Sequence, residues 1–144
     1  MVDSRSGIPW PDKMSVGRLR RVRLSPEVEA GYYYGLSNEG LWPLCHIAYT
    51  ALLFRHEHWE KYVQANRAFA DAVLDEIGSE PAVVFVQDYH LGLLPRLLRK
   101  ARPDLLLAHF WHIPWPNREV FRVFPWGEEF LEGMLGSDLV GFHV

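Results

Sequence analysis

The fold is decided by residues 105–117, which read LLLAHFWHIPWPN. The first seven are apolar or aromatic apart from His109, and such a run predicts a strand buried on both faces of a sheet. Pro114 and Pro116 end it, because proline lacks the backbone N–H of a sheet ladder and holds the preceding residue extended. His112 is therefore expected at the carboxyl end of a parallel strand, where open α/β sheets bind ligands. A histidine at a strand end is also a common structural hydrogen-bonding group, so the loop alone leaves both roles open.

A second buried strand precedes the first along the chain. Residues 82–87 read AVVFVQ, a β-branched and aromatic run that is typical of strands. The run ends at Asp88, and residues 91–101 then carry leucines at helical spacing. Strand, helix and strand in this order predict a right-handed parallel crossover, which brings Asp88 and His112 to the same sheet edge. A carboxylate just before a helix is also an ordinary cap, so Asp88 has two readings on sequence pattern alone.

The remaining segments predict helices around this sheet. A helix that starts at Ser25–Glu29 is expected to end at Gly31, and Ser37 or Asn38 is expected to cap a second short helix. The clearest helix covers residues 56–77, where apolar and aromatic side chains recur at helical spacing. Later segments predict a helical turn at residues 119–124, a helix at 126–135 and a third strand at 138–144. Together these elements predict an α/β fold with a mainly parallel sheet and flanking helices.

Composition limits the classes of function. The 144 residues suffice for one ordinary domain, and residues 1–24 are expected to be an irregular leading segment. The formal net charge of −3 provides no basic field for nucleic acid. The single Cys45 excludes an internal disulfide and any multi-cysteine metal site, which fits a reducing cytoplasm. No apolar run is long enough to cross a bilayer, and no signal peptide is recognised.

Aromatic residues are abundant, at 14% of the chain with six tryptophans. Three tyrosines at residues 32–34 stand close in sequence to Trp42. Such rings often pack on the apolar face of a sugar while hydroxyl groups bond at its edge, but they are also good core residues. The sequence therefore predicts either a ring wall beside a carbohydrate or an amphipathic cluster at a core edge.

Four segments in order resemble the trehalose-6-phosphate synthase family: YYYGLSNEGLWPLCH at 32–46, VFVQDYHLGLLP at 84–95, HFWHIPWPNREVFRVFP at 109–125 and GSDLVGFHV at 136–144. Four motifs in the right order are far more specific than one short pattern. The resemblance implies a retaining glycosyltransferase of the GT-B type, with two Rossmann-like domains. Residues 25–144 would then be part of the amino-terminal, acceptor-binding domain, without the carboxy-terminal donor domain.

The resemblance implies a reaction and roles for four residues. Glucose would pass from a nucleotide sugar, usually UDP-glucose, to the 1-position of glucose 6-phosphate with retention, and no cofactor or metal is required. Tyr33 and Trp42 match substrate-binding ring positions beside the acceptor. Asp88 matches the carboxylate that bonds acceptor hydroxyls, and His112 matches the histidine near the donor glucose, so both are candidates for catalysis as well as binding.

The resemblance also has gaps and a close alternative. The Gly-rich loop and the arginine expected on an opening strand are absent, as are the groups that hold the donor's diphosphate. The chain is therefore expected to be a fragment that is inactive alone, from a cytoplasmic protein without membrane or nucleic-acid partners. Homo-oligomerisation of the intact protein is left open. The same motifs resemble glucosylglycerol-phosphate synthases, which use glycerol 3-phosphate, and a non-catalytic sugar-phosphate-binding relative is the rival from another class.

Overall fold

The computed structural model describes residues 19–48 and 51–143. Residues 1–18, which make up most of the expected leading segment, lie outside the described residues, and residues 19–24 contain neither helix nor strand. In chain order the elements are α1 (Pro26–Glu29), a π-helical segment (Ala30–Leu41), α2 (Trp42–Cys45), α3 (His56–Ile77), β1 (Val83–Gln87), a 3₁₀ turn (Tyr89–Leu91), α4 (Leu94–Ala101), β2 (Leu106–Trp111), α5 (Arg118–Phe121), α6 (Gly127–Met134) and β3 (Leu139–Phe142).

The three strands form one parallel sheet in the order β1-β2-β3. The predicted α/β class with a parallel sheet is confirmed, and α3 has the predicted bounds. Gln87 at the end of β1 is the partner of Phe110 in β2, and the backbone N–H of Asp88 donates to the Phe110 carbonyl at 2.7 Å. This register places the residues that follow β1 and β2 at one edge of the sheet, as the sequence predicts.

The prediction that both strands are buried on two faces is wrong for this chain. Alternate side chains of a strand point to opposite faces, and the described helices pack on one face only. On that face Val86 and Leu107 are buried against Leu94 and Leu98 of α4. The other face, here called the open sheet face, exposes apolar side chains: Val83 at 71%, Phe85 at 62%, Leu106 at 60% and Leu139 at 67%.

The prediction that Gly31 ends the first helix is also wrong, because α1 continues through the π-helical segment into α2. Gly31 and Gly35 instead allow close approach to α3. A Cβ atom at Gly31 would lie 2.7 Å from Lys61 Cγ, and one at Gly35 would lie 2.5 Å from His58 Nδ1. Ser37 does not cap a new helix, since its hydroxyl donates to the Tyr32 carbonyl at 2.8 Å inside the segment.

Two buried polar side chains of α3 hold the loop that follows β1. The Tyr62 hydroxyl donates to the Tyr89 carbonyl at 2.6 Å and accepts the Gly92 N–H at 2.8 Å. Asn66 donates to the His90 carbonyl at 3.2 Å and accepts the Leu93 N–H at 3.1 Å. Because both side chains are fully buried, these hydrogen bonds are costly to lose and fix the loop against the helix. Within the described residues, no helix combines the length and apolar character needed to cross a membrane.

Candidate functional site

The backbone of Asp88 is held in a rare conformation. Its φ of 65° and ψ of 177° fall in a region that is populated almost only by glycine and that costs an L-residue about 1–3 kcal/mol. Two residues of β2 maintain this conformation, one at the backbone N–H of Asp88 and one at its carbonyl oxygen. Phe110 accepts the Asp88 N–H at 2.7 Å, and the ring Nε2 of His109 lies 3.0 Å from the Asp88 carbonyl oxygen. Strain of this kind concentrates at functional sites, where surrounding contacts impose it.

The Asp88 carboxylate combines the two roles that the sequence leaves open. Its Oδ1 atom accepts the Tyr89 N–H at 2.9 Å, which caps the 3₁₀ turn, and the His112 N–H at 3.3 Å, which links the ends of β1 and β2. Among the described residues, no donor meets the second oxygen, Oδ2. The side chain is half-buried, so a ligand can reach this oxygen. Asp88 is therefore a cap that keeps an acceptor oxygen available at the sheet edge.

His112 lies beside Asp88, as the crossover predicts, and is exposed. Its ring Nε2 lies 2.6 Å from Oε1 of Gln87, the last residue of β1. The ring of Phe110 meets the imidazole edge-on, with centroids 4.7 Å apart. Two contacts, from Gln87 and Phe110, therefore orient the exposed ring of His112.

Tyr33 joins this edge through a layer of rings. It stacks on His90 with centroids 5.2 Å apart and an interplanar angle of 14°, and His90 in turn lies 4.0 Å from the Tyr89 ring. The Tyr89 hydroxyl donates to Asn38 at 3.3 Å, which ties the layer to the π-helical segment. Tyr33 is the exposed ring of this layer, at 41%, and an exposed ring face of this kind packs on a sugar ring.

Trp42 lies at the start of α2 and is exposed. Its ring stacks on His46 with centroids 4.0 Å apart. Cys45 at the other end of α2 is buried, and burial raises the pKa of its thiol to about 12, with a smaller contribution from the Asp88 charge. Helix α2 therefore lies within electrostatic range of Asp88. Among the described contacts, Asp88 bonds directly to His112. Its link to Tyr33 runs through Tyr89 and His90. Trp42 has no described contact with Asp88 and is near it only because α2 is.

Burial controls the titration of the groups around Asp88. It raises the pKa of Tyr89 to about 12, with a smaller contribution from the Asp88 charge. It lowers the pKa of His90 and of His109, in both cases against the opposing effect of that charge. Both imidazoles are therefore neutral at pH 7. In residues 19–48 and 51–143, no group of three or more His, Cys, Asp or Glu side chains is placed to hold a metal ion.

Sequence reasoning did not assign Gln87, His90 or His109 to the site. His109 could have been identified from the sequence, since it is a lone imidazole inside an apolar run. Gln87 was harder to identify, as a polar residue that ends an apolar strand. No local pattern indicates His90, because its role depends on stacking with Tyr33, which lies 57 residues away.

Comparison with known proteins gives a family match and several similar solved structures. Residues 11–144 match the model of glycosyltransferase family 20. The chain is 50% identical over 123 residues to trehalose-6-phosphate synthase of Mycolicibacterium vanbaalenii, covering 85% of this chain and 25% of that protein. The chain thus spans about a quarter of the length of the curated relatives it matches.

Two solved structures carry ligands. An α,α-trehalose-phosphate synthase (UDP-forming) from Burkholderia xenovorans, in complex with glucose-6-phosphate, has a TM-score of 0.77 and 32% identity, over 83% of this chain and 26% of its own. A protein from E. coli, bound with UDP-2-fluoro glucose, has a TM-score of 0.78 and 31% identity, over 84% of this chain and 27% of its own.

Proposed function

The chain belongs to glycosyltransferase family 20, and on this premise we propose that it forms part of the acceptor-binding half of a retaining hexosyltransferase. The longer protein would transfer glucose from UDP-glucose to glucose 6-phosphate and give trehalose 6-phosphate. The chain alone would not complete the reaction, because the groups that hold the donor diphosphate belong to the other domain in this family. We assign residues 25–144 to the acceptor-binding domain.

The single observation that carries this proposal is the Asp88 carboxylate. Its backbone is strained, its Oδ1 atom is occupied by two backbone N–H groups, and its Oδ2 atom faces no protein donor among the described residues. A carboxylate oxygen fixed in this way accepts a sugar hydroxyl and orients the attacking oxygen, which lowers the barrier by positioning. Asp88 acts here as an orienting group and forms no covalent intermediate.

The other three residues complete the proposed site. The exposed rings of Tyr33 and Trp42 supply faces for the acceptor, and His112 faces the donor glucose from the sheet edge. The complex of the Burkholderia xenovorans relative with glucose-6-phosphate supports an acceptor of this class. The UDP-2-fluoro glucose complex of the E. coli protein supports a nucleotide sugar as the donor.

We propose a cytoplasmic location, since a chain whose single cysteine forms no internal disulfide fits a reducing compartment. The proposed partners are the two small substrates, without nucleic acid or membrane. Whether the longer protein forms a homo-oligomer is left open here and is tested by its mass in solution.

The decisive experiment is to sequence the coding DNA on both sides of these 144 residues and to assay the complete protein. We expect an in-frame continuation that encodes a second nucleotide-binding domain, and transfer of glucose from UDP-glucose to glucose 6-phosphate. Preference for glycerol 3-phosphate would identify a glucosylglycerol-phosphate synthase instead. Binding of sugar phosphate without transfer to either acceptor would identify a non-catalytic relative.

A further inference from the structure

We propose that Gln87 is a positioning residue that selects the tautomer of His112. In this arrangement the side-chain carbonyl of Gln87 accepts the Nε2–H of His112, so Nδ1 carries a lone pair and is a hydrogen-bond acceptor. The effect on catalysis rests on the proposed function, whereas the tautomer is a property of the described residues.

The geometry follows from the sheet register. Gln87 is the last residue of β1 and is paired with Phe110 of β2, so its side chain and those of Phe110 and His112 alternate onto the same face. The Gln87 Oε1 atom lies 2.6 Å from His112 Nε2, a short hydrogen-bond distance. The His112 N–H reaches Asp88 at 3.3 Å, and Phe110 supports the ring at 4.7 Å. The bond to Asp88 therefore holds the backbone of His112, and the contacts with Gln87 and Phe110 orient its ring.

The chemistry follows from the atom that Gln87 presents. A neutral imidazole has one donor nitrogen and one acceptor nitrogen, and the partner of one nitrogen determines the role of the other. An amide oxygen only accepts, so in the neutral ring Nε2 carries the proton and Nδ1 does not. The sheet edge then presents two acceptors, Oδ2 of Asp88 and Nδ1 of His112. Two acceptors suit the hydroxyl groups of a sugar and do not suit a phosphate.

The experiment uses the complete protein that contains this chain, with ¹⁵N-labelled histidine. Nitrogen chemical shifts distinguish a protonated ring nitrogen from an unprotonated one, and the His112→Gln variant assigns the signals. We expect wild-type His112 to be protonated at Nε2 alone. Gln87→Glu should keep this tautomer, because a carboxylate also accepts, and Gln87→Met should give a mixture of both tautomers.

Kinetics test whether the tautomer matters to transfer. Gln87→Met should lower kcat about tenfold, the effect of one lost hydrogen bond, and leave the KM for the acceptor nearly unchanged. The matched control is Gln64→Met, at an exposed glutamine of α3 outside the site, which should change neither kcat nor the His112 signals.

Two results would overturn the proposal: protonation of wild-type His112 at Nδ1, or a Gln87→Met variant whose kcat equals that of the control. Met is close to Gln in length and volume, so the variant should fold, and the wild-type spectrum tests the tautomer without any variant. Absence of transfer by the wild-type protein to either acceptor would reject the proposed function. The ¹⁵N measurement would still decide the tautomer, so the two failures are distinguishable.

Discussion

Asp88 has a backbone conformation that favours glycine, but glycine would lack the carboxylate. We expect Asp88→Gly to change the free energy of unfolding by only about 1 kcal/mol, because relief of strain offsets the lost Oδ1 hydrogen bonds. Asp88→Ala keeps the strain and loses the bonds, and should destabilise by about 1–2 kcal/mol. Both variants should lower kcat/KM for the acceptor about 100-fold or more, because the attacking oxygen is no longer oriented.

Urea unfolding and steady-state kinetics of the same preparations measure the two effects. A stable Asp88→Gly variant with wild-type activity would assign Asp88 to capping alone. Asp88→Asn is the conservative control, since it retains an Oδ1 acceptor for Tyr89 and His112 and should keep most of the stability.

His109 is buried and His90 is half-buried near Asp88, and burial lowers the pKa of both. In the unfolded chain histidine titrates near pH 6.5, so below that pH the unfolded state binds more protons than the folded state. The stability that the neutral imidazoles provide is therefore fully present above about pH 6.5, and it is lost as the pH falls from there towards the lowered folded pKa. We expect the Tm to fall between pH 7 and pH 5.

The variant His109→Gln tests this effect, because its amide can still donate to the Asp88 carbonyl but does not titrate. Its Tm should depend less steeply on pH than that of the wild type. His143→Gln, at an exposed histidine after β3, is the control for loss of an imidazole outside the site. Equal slopes for all three proteins would contradict the prediction.

At the scale of the elements, α2 ends in a motif that normally requires glycine. The Ala48 N–H donates to the Pro43 carbonyl at 2.9 Å and the Ile47 N–H to the Leu44 carbonyl at 3.2 Å, the pair of bonds that defines a Schellman end. Ile47 occupies its left-handed position with φ of 51°, where a side chain costs about 1–2 kcal/mol. It is 54% exposed, so little burial compensates.

We therefore expect Ile47→Gly to stabilise the protein by about 1 kcal/mol, since relief of strain exceeds the extra chain entropy that glycine loses. Ile47→Ala, which keeps a Cβ atom in the left-handed conformation, should gain less. Thermal unfolding of the two variants measures the difference. A glycine variant no more stable than the alanine variant would show that Ile47 is not strained.

The elements that the sequence predicted correctly are those whose local pattern of apolar and polar residues indicates the structure. Helix α3 shows its period over 22 residues, and Asp88 and His112 follow from the rule that carboxyl ends of parallel strands share an edge. Gly31 was misread because its role depends on Lys61, 30 residues away, which no local pattern reveals. Gln87 and His90 were missed for the same reason, since their partners lie on other elements.

At the scale of the whole molecule, the apolar residues of the open sheet face are the reason that the sequence predicts strands buried on both faces. Their apolar residues alternate with no polar face, as in parallel sheets that are covered on both sides. In this chain Val83, Phe85, Leu106 and Leu139 are exposed, although a contiguous apolar surface of this kind marks an interaction site. The relatives are about four times longer, so we expect other parts of the longer protein to cover this face.

Charged substitutions on the open sheet face should therefore act in opposite directions in the two contexts. In the isolated 144-residue chain, Phe85→Glu with Leu106→Lys should reduce self-association and dye binding, because it interrupts an exposed apolar surface. In the longer protein the same pair should destabilise by several kcal/mol, since burial of a charge is costly. Sedimentation and urea unfolding measure the two effects.

Leu135→Lys, at a leucine that is 70% exposed beyond α6, is the control and should be neutral in both contexts. Tolerance of the pair by the longer protein would show that this face stays open there, and would point to a separate partner as its cover.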